Sequence, residues 1–98
     1  MVKKIIWRKT ADKSFDRIVF YLHEKFSYQV AHNFAKIVYD KIDRLEKQPF
    51  IGPKVSGTKS VRYVNFGKHY QMFYRVDGKT LIISYFFDTR QDPNKRPF

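Results

Sequence analysis

The sequence predicts a single α+β domain over residues 1–98, in the order β-α-α-β-β-β, with a helical hairpin packed on a small, twisted, mainly antiparallel sheet. Three observations carry this expectation. Apolar residues recur with helical period through two consecutive stretches before Gln48. A break punctuated by proline and glycine follows, from Pro49 to Ser60. Beyond it, strand-like runs are separated by Gly67-Lys68 and by Asp77-Gly78, the second a strong two-residue hairpin signal.

Val2 to Arg8 carries Ile5, Ile6 and Trp7 in weak alternation and reads as the first strand. Thr10 is placed to cap a helix whose first turn holds Asp12, where the helix dipole favours an acid. Phe15, Ile18, Val19 and Leu22 then form one apolar stripe, running to about Lys25. Ser27 offers a second cap. Ala31, Phe34, Ala35, Val38, Ile42 and Leu45 make the second stripe, which Gln48-Pro49 ends. So short a break between two helices predicts an antiparallel hairpin. No linker long enough for a second domain and no internal repeat interrupts the chain.

Three strands are expected, at Ser60 to Phe66, His69 to Val76 and Lys79 to Phe87. A two-residue loop at Asp77-Gly78 sets Val76 opposite Lys79, Tyr74 opposite Leu81, Met72 opposite Ile83 and Tyr70 opposite Tyr85. That face is the natural seat of the helices. The other face then holds His69, Gln71, Phe73 and Arg75 beside Thr80, Ile82, Ser84 and Phe86. A two-residue turn at Gly67-Lys68 places Arg62 opposite Phe73 and points Val61 and Tyr63 inward. On that register Arg62, His69, Gln71 and Arg75 converge on one sheet face outside the core. A one-residue slip at Gly67 turns Arg62 inward instead.

Ten Phe, seven Tyr and one Trp predict a core built from large rings. No run approaches the ~20 apolar residues of a membrane span, and no signal-peptide pattern opens the chain. A cytoplasmic protein without a membrane partner is therefore expected. Cysteine is absent, which excludes disulfides and thiolate-bound metals. His23, His32 and His69 form no pair at helical spacing, and only Asp77, Asp88 and Asp92 follow Glu46, too few for a two-metal nuclease centre. Neither a nucleophilic triad, a carboxylate pair nor a glycine-rich phosphate loop is present. The expectation is no cofactor, no metal and no small-molecule substrate.

The net charge is +11, from 20 basic against 9 acidic residues. Between Lys47 and Val76 stand Lys47, Lys54, Lys59, Arg62, Lys68 and Arg75 without one Asp or Glu. Such a surface attracts polyanions or an acidic partner. Arginines interleaved with aromatic rings can grip phosphates through their planar forks while bases stack beside them. The candidate nucleic-acid or target-binding residues are Lys54, Lys59, Arg62, Lys68, Gln71, Arg75 and Arg90, the last emerging near that face at the end of the last strand. A plainer reading has Arg62 and Arg75 as half-exposed strand residues paired with Asp77 or Asp88. For catalysis the candidates are Arg62, Arg75, Arg90, His69 and Lys68. His69 titrates near neutrality, as a general base must, but no residue nearby in sequence holds or complements it.

Several local patterns recur together in a known family. Trp7-Arg8-x-x-Ala11 with Ile18-x-x-Tyr21 is one, and Ile42-x-x-Leu45 followed by Pro49 and Gly52 is another. Arg62 ahead of Tyr70-x-x-x-Tyr74-Arg75-Val76 is a third, and Arg90-Gln91-x-Pro93 closes the set. In this order, over nearly the whole chain, they resemble the RelE/ParE superfamily of type II toxin–antitoxin toxins. The Arg-Gln-x-Pro ending resembles the ParE-like branch. That branch implies a growth-inhibiting toxin that binds DNA gyrase and is neutralised by a cognate antitoxin; the +11 surface with apolar helix flanks such as Phe20 and Tyr21 offers a docking track for an acidic amphipathic segment. The RelE-like alternative implies a metal-independent, ribosome-dependent mRNA endonuclease. There Arg62, Arg75 and Arg90 would hold the phosphate, with His69 or Lys68 assisting proton transfer. Two departures stand out: Phe87 occupies the place where many ParE-like chains carry histidine, and the C-terminal Tyr or His of RelE-like chains is missing. A third reading, a non-toxic basic RNA-binding module, rests on charge alone.

Overall fold

Two amphipathic helices lie on one face of a four-stranded mixed sheet, in the element order the sequence predicts. The computed structural model describes residues 2–91 and residue 94. Its elements are β1 (Lys4–Trp7), α1 (Lys9–Lys25), α2 (Tyr28–Lys47), β2 (Arg62–Phe66), β3 (Tyr70–Asp77) and β4 (Thr80–Asp88). The strand order is β1-β4-β3-β2. β1 runs parallel to β4, and the β2–β3 and β3–β4 pairs are antiparallel hairpins.

Both apolar stripes face inward. α1 buries Ala11, Ser14, Ile18 and Leu22, and α2 buries Ala31, Phe34, Val38, Ile42 and Leu45. Ser27 caps α2 as expected, its hydroxyl accepting from Val30 N–H at 3.1 Å. The rings knit the layers together: Trp7 stacks on Phe86 at 5.5 Å and meets the edge of Phe15 at 5.4 Å.

Thr10 does not cap α1; that position belongs to Arg8, which makes no side-chain cap. The Thr10 hydroxyl instead donates to Ser84 O at 2.6 Å. One turn on, buried Ser14 accepts from Phe86 N–H at 2.9 Å and donates to Thr10 O at 2.6 Å. These two bonds mark the main departure from the expected sheet. The β3–β4 pairing jumps from Tyr74↔Ile83 to Phe73↔Tyr85, leaving Ser84 as the extra residue of a bulge. A bulge frees backbone groups from the ladder, and α1 supplies their partners.

Both hairpin loops also differ from the expectation. Asp77 pairs with Thr80, so the β3–β4 loop is Gly78-Lys79, with Gly78 at φ +60 taking the left-handed position. Tyr74 therefore faces Ile83 instead of Leu81, a two-residue shift that keeps each side chain on its expected face. Past the bulge the faces exchange, and Phe86 instead of Tyr85 enters the helix-side core. The β2–β3 loop is Gly67-Lys68-His69, one residue longer than expected. Arg62 consequently stands opposite Tyr74, not Phe73, and every side chain of β2 changes face. Val64 and Phe66 are core residues, whereas Val61 and Tyr63 point away from the helices.

The outward face of the sheet has a small core of its own. Val55, Phe73 and Phe87 are buried there, flanked by Val61, Tyr63 and Tyr85. The chain after α2 folds back to make this possible. Lys54 bridges Arg62, Val55 N–H donates to Val61 O at 2.7 Å, and Tyr63 N–H donates to Pro53 O at 3.1 Å. Among the described residues no helix is long and apolar enough to cross a membrane.

Candidate functional site

The expected convergence of Arg62, His69, Gln71 and Arg75 on one face does not occur. The extra residue in the β2–β3 loop sends Arg62 to the helix side and leaves His69 in the loop. Gln71 and Arg75 keep the outward face with Phe73. Arg90 does not join them, because the bulge turns the end of β4 toward α1. The predicted cations therefore gather in three places.

The first is a cleft of about 160 Å³ lined by Phe50, Lys54, Lys59, Ser60, Arg62 and Val76. Arg62 is its floor. Its Nη1 donates to Gly52 O at 2.7 Å and Phe50 O at 3.1 Å, and its guanidinium lies 5.1 Å from the Phe50 ring centroid. Arg62 thus holds the loop after α2 through carbonyls, not through Asp77 or Asp88. Tyr74 clamps the same loop from below, its buried hydroxyl donating to Pro49 O at 2.8 Å and accepting from Gly52 N–H at 3.1 Å. Burial pushes the Tyr74 phenol above its ordinary value, despite the opposing Gly52 N–H and Arg62. Among the described residues no carboxylate lines the cleft, so Lys54, Lys59 and Arg62 form a cationic group able to hold an anion.

The second place is a pocket of about 310 Å³ at the end of β4, lined by Arg17, Ile18, Tyr21, Tyr70, Asp88, Arg90 and Gln91. Arg90 grips Asp88 bidentately, Nε to Oδ1 at 3.0 Å and Nη2 to Oδ2 at 2.8 Å. Its Nη2 also donates to Tyr70 Oη at 3.2 Å, and the guanidinium lies 5.9 and 5.8 Å from the Tyr21 and Tyr70 ring centroids. The Arg90 hydrogen bond holds the Asp88 carboxyl below its usual range, and Asp88 in turn raises Arg90. Burial raises the Tyr70 phenol, partly offset by Arg90. Lys68 and His69 sit at this same end, where Thr89 Oγ1 donates to Lys68 O at 3.2 Å and Thr89 N–H to His69 O at 2.7 Å.

The Asp88–Arg90 fork makes a pH-dependent contribution of definite sign. A carboxyl held low in the folded chain stabilises the fold fully above its unfolded pKa of about 4. That contribution disappears as pH falls through the lower folded value. Thermal melts across the acid range should show a shallower loss of stability for Asp88→Asn than for the parent below about pH 4. Parallel curves would mean that the fork adds nothing.

The third place is the outward face, where Arg75 lies half-buried on β3 opposite Ile82. Its Nε is buried, with no hydrogen-bond partner among the described residues. Arg62 and Arg90 are remote from each other as well. They contact Tyr74 and Tyr70, four residues apart along β3, so about 13 Å separates those positions. Asp92, Pro93, Lys95, Arg96 and Phe98, including the end of the Arg90-Gln91-x-Pro93 pattern, lie outside the described residues. Sequence reasoning missed Arg17, Tyr21, Tyr70 and Asp88 as one cluster; the signal it could have used is the short Asp88-x-Arg90 spacing. Among the described residues no group of His, Asp or Glu is placed to hold a metal ion.

Residues 5–93 match the family described as the ParE toxin of the type II toxin–antitoxin system parDE. No curated protein sequence matches the chain. Among solved structures, the chain is similar to the chromosomal ParDE toxin–antitoxin system of P. aeruginosa, with TM-score 0.64 and 17% identity over 89% of this chain and 96% of that one. It is also similar to the RelBE2 toxin–antitoxin complex of Mycobacterium tuberculosis, with TM-score 0.61 and 16% identity over 90% and 99% of the two chains. A conserved hypothetical protein of Helicobacter pylori has TM-score 0.54 and 16% identity over 93% and 98%. At these identities the structures speak for the shared two-helix, four-strand architecture. The family match covers nearly the whole of this chain, and with it the chain belongs to the ParE toxins of type II toxin–antitoxin systems.

Proposed function

We propose that this toxin acts by binding its target, DNA gyrase, and that a cognate antitoxin neutralises it in the cytoplasm. The observation that carries the reading is the separation of the cations. Cleavage of RNA needs phosphate-gripping groups and a proton acceptor around one scissile bond. Here Arg62 is tied to the loop after α2, Arg90 is paired with Asp88 near the other end of β3, and Arg75 lies on the opposite face of the sheet. Separate basic and aromatic patches suit recognition of a large partner better than chemistry at one point. The solved neighbours from P. aeruginosa and M. tuberculosis are toxin–antitoxin assemblies, which supports an antitoxin for this chain.

A second reading, a ribosome-dependent mRNA endonuclease, is favoured by one feature: the cleft where Lys54, Lys59 and Arg62 stand with no carboxylate among the described lining residues. Induced expression followed by two assays separates the readings. Growth arrest with inhibition of purified gyrase supercoiling, and no new mRNA ends by primer extension, is the expected result. Discrete new ends with unimpaired supercoiling would replace this reading with the endonuclease. Normal growth would leave only the RNA-binding module.

A further inference from the structure

Arg75 is half-buried on the sheet face that carries no helix, two residues beyond Phe73 on β3 and opposite Ile82 on β4. A buried guanidinium nitrogen ordinarily has an oxygen to receive it, because burial strips its hydration and an unpaired donor gains nothing in return. Nε of Arg75 has no such oxygen among the described residues. Asp77 is exposed two positions further along the same strand, yet none of the ion pairs among the described residues includes Arg75. Arg62 and Arg90, by contrast, are each held by oxygens of their own chain. Arg75 therefore lowers the stability of the free fold, and no acid of the described chain offsets the loss.

Its surroundings indicate which kind of molecule supplies the missing counter-charge. Tyr63 and Tyr85 stand on either side of Phe73, on the two adjoining strands, and both are half-buried. Ile82 pairs in turn with Ile6 of β1, which is 39% exposed. Rings and aliphatic side chains thus surround one cation. A phosphate backbone repeats its charge along the strand and is gripped by several cations together. A lone arginine among tyrosines has instead the composition of an anchor in a protein–protein interface.

We propose that this sheet face is where the toxin docks its target protein, and that Arg75 receives a carboxylate of that protein in a contact ringed by Tyr63, Ile82 and Tyr85. The proposal rests on the target-binding reading and deepens it, naming the surface used and the chemistry that meets it. The guanidinium charge is spread over all three nitrogens, so a carboxylate gripped end-on by the outer two compensates the whole group. The stem can stay packed on the sheet meanwhile. Docking satisfies a cation that folding leaves unpaired.

The test pairs thermal melts of the full chain with its binding to immobilised, purified gyrase. Arg75→Met keeps an unbranched stem but removes the charge and the buried donor. Its melting temperature should equal or exceed the parent's. Its affinity for gyrase should fall about thirtyfold, the loss expected of an interface anchor. Arg75→Lys keeps the charge without the fork and should recover only part of that affinity. A melting temperature lowered by Arg75→Met would make the arginine a structural residue and overturn the proposal. Undiminished binding by Arg75→Met, with the parent binding normally, would defeat the proposal alone. A parent chain that does not bind gyrase would defeat the functional reading as well, a result plain before any variant is measured.

Discussion

Phe73→Ala is expected to destabilise the fold by about 3–5 kcal/mol, the cost of emptying a fully buried aromatic site. The ring is 0% exposed, packed with Val55 and Phe87 on the sheet face that carries no helix. For a domain of this size the loss would lower the melting temperature by more than about 10 °C. Phe20→Ala is the matched control. That ring is 67% exposed on α1, and its removal should change stability by no more than about 0.5 kcal/mol. Thermal or urea unfolding of the two variants separates two pictures of the outward face. An open aromatic platform predicts little loss at Phe73; a second core predicts a large one.

Gly52→Ala should cost about 2–3 kcal/mol, and for want of space. A Cβ on Gly52 would lie 2.5 Å from Tyr74 Oη and 2.6 Å from the Tyr63 carbonyl oxygen. Backbone strain is not the cause, because the positive-φ glycines are Gly57, Gly67 and Gly78. The obstructing hydroxyl is the one that ties Pro49 O to Gly52 N–H, so the loop cannot yield without leaving buried groups unpaired. Tyr74→Phe removes the hydroxyl along with its bonds. The double variant should therefore lose less than the two single losses combined, a non-additivity readable in denaturant midpoints. Strict additivity would mean that the two residues do not share one clamp.

The helical half was legible in the sequence because its signals are local. A 3.6-residue period and the Ser27 cap each act within a turn or two, and the stripes from Ile18 to Leu22 and from Ala31 to Leu45 became the buried faces. The sheet depended on counts that no local signal settles. One extra loop residue at His69 inverted β2, and the bulge at Ser84 inverted the end of β4. Because side chains alternate strictly, each single-residue change carried an arginine to another face. The partners that stabilise the bulge, Thr10 and Ser14, lie more than 70 positions away in sequence. Their hydroxyls read as a cap and an ordinary helical serine until the strand is set beside them. The family patterns survived these errors because they record residue order, which a register shift leaves untouched.

Placing β4 between β1 and β3 has a consequence for how such a toxin comes into being. The first strand has no sheet neighbour until the last strand is available, so a nascent chain emerging from the ribosome carries helices that can pair early beside an edge that cannot. Contacts of such wide sequence separation slow folding. The sheet therefore closes in a single late step, when β4 enters between two strands that were both made before it.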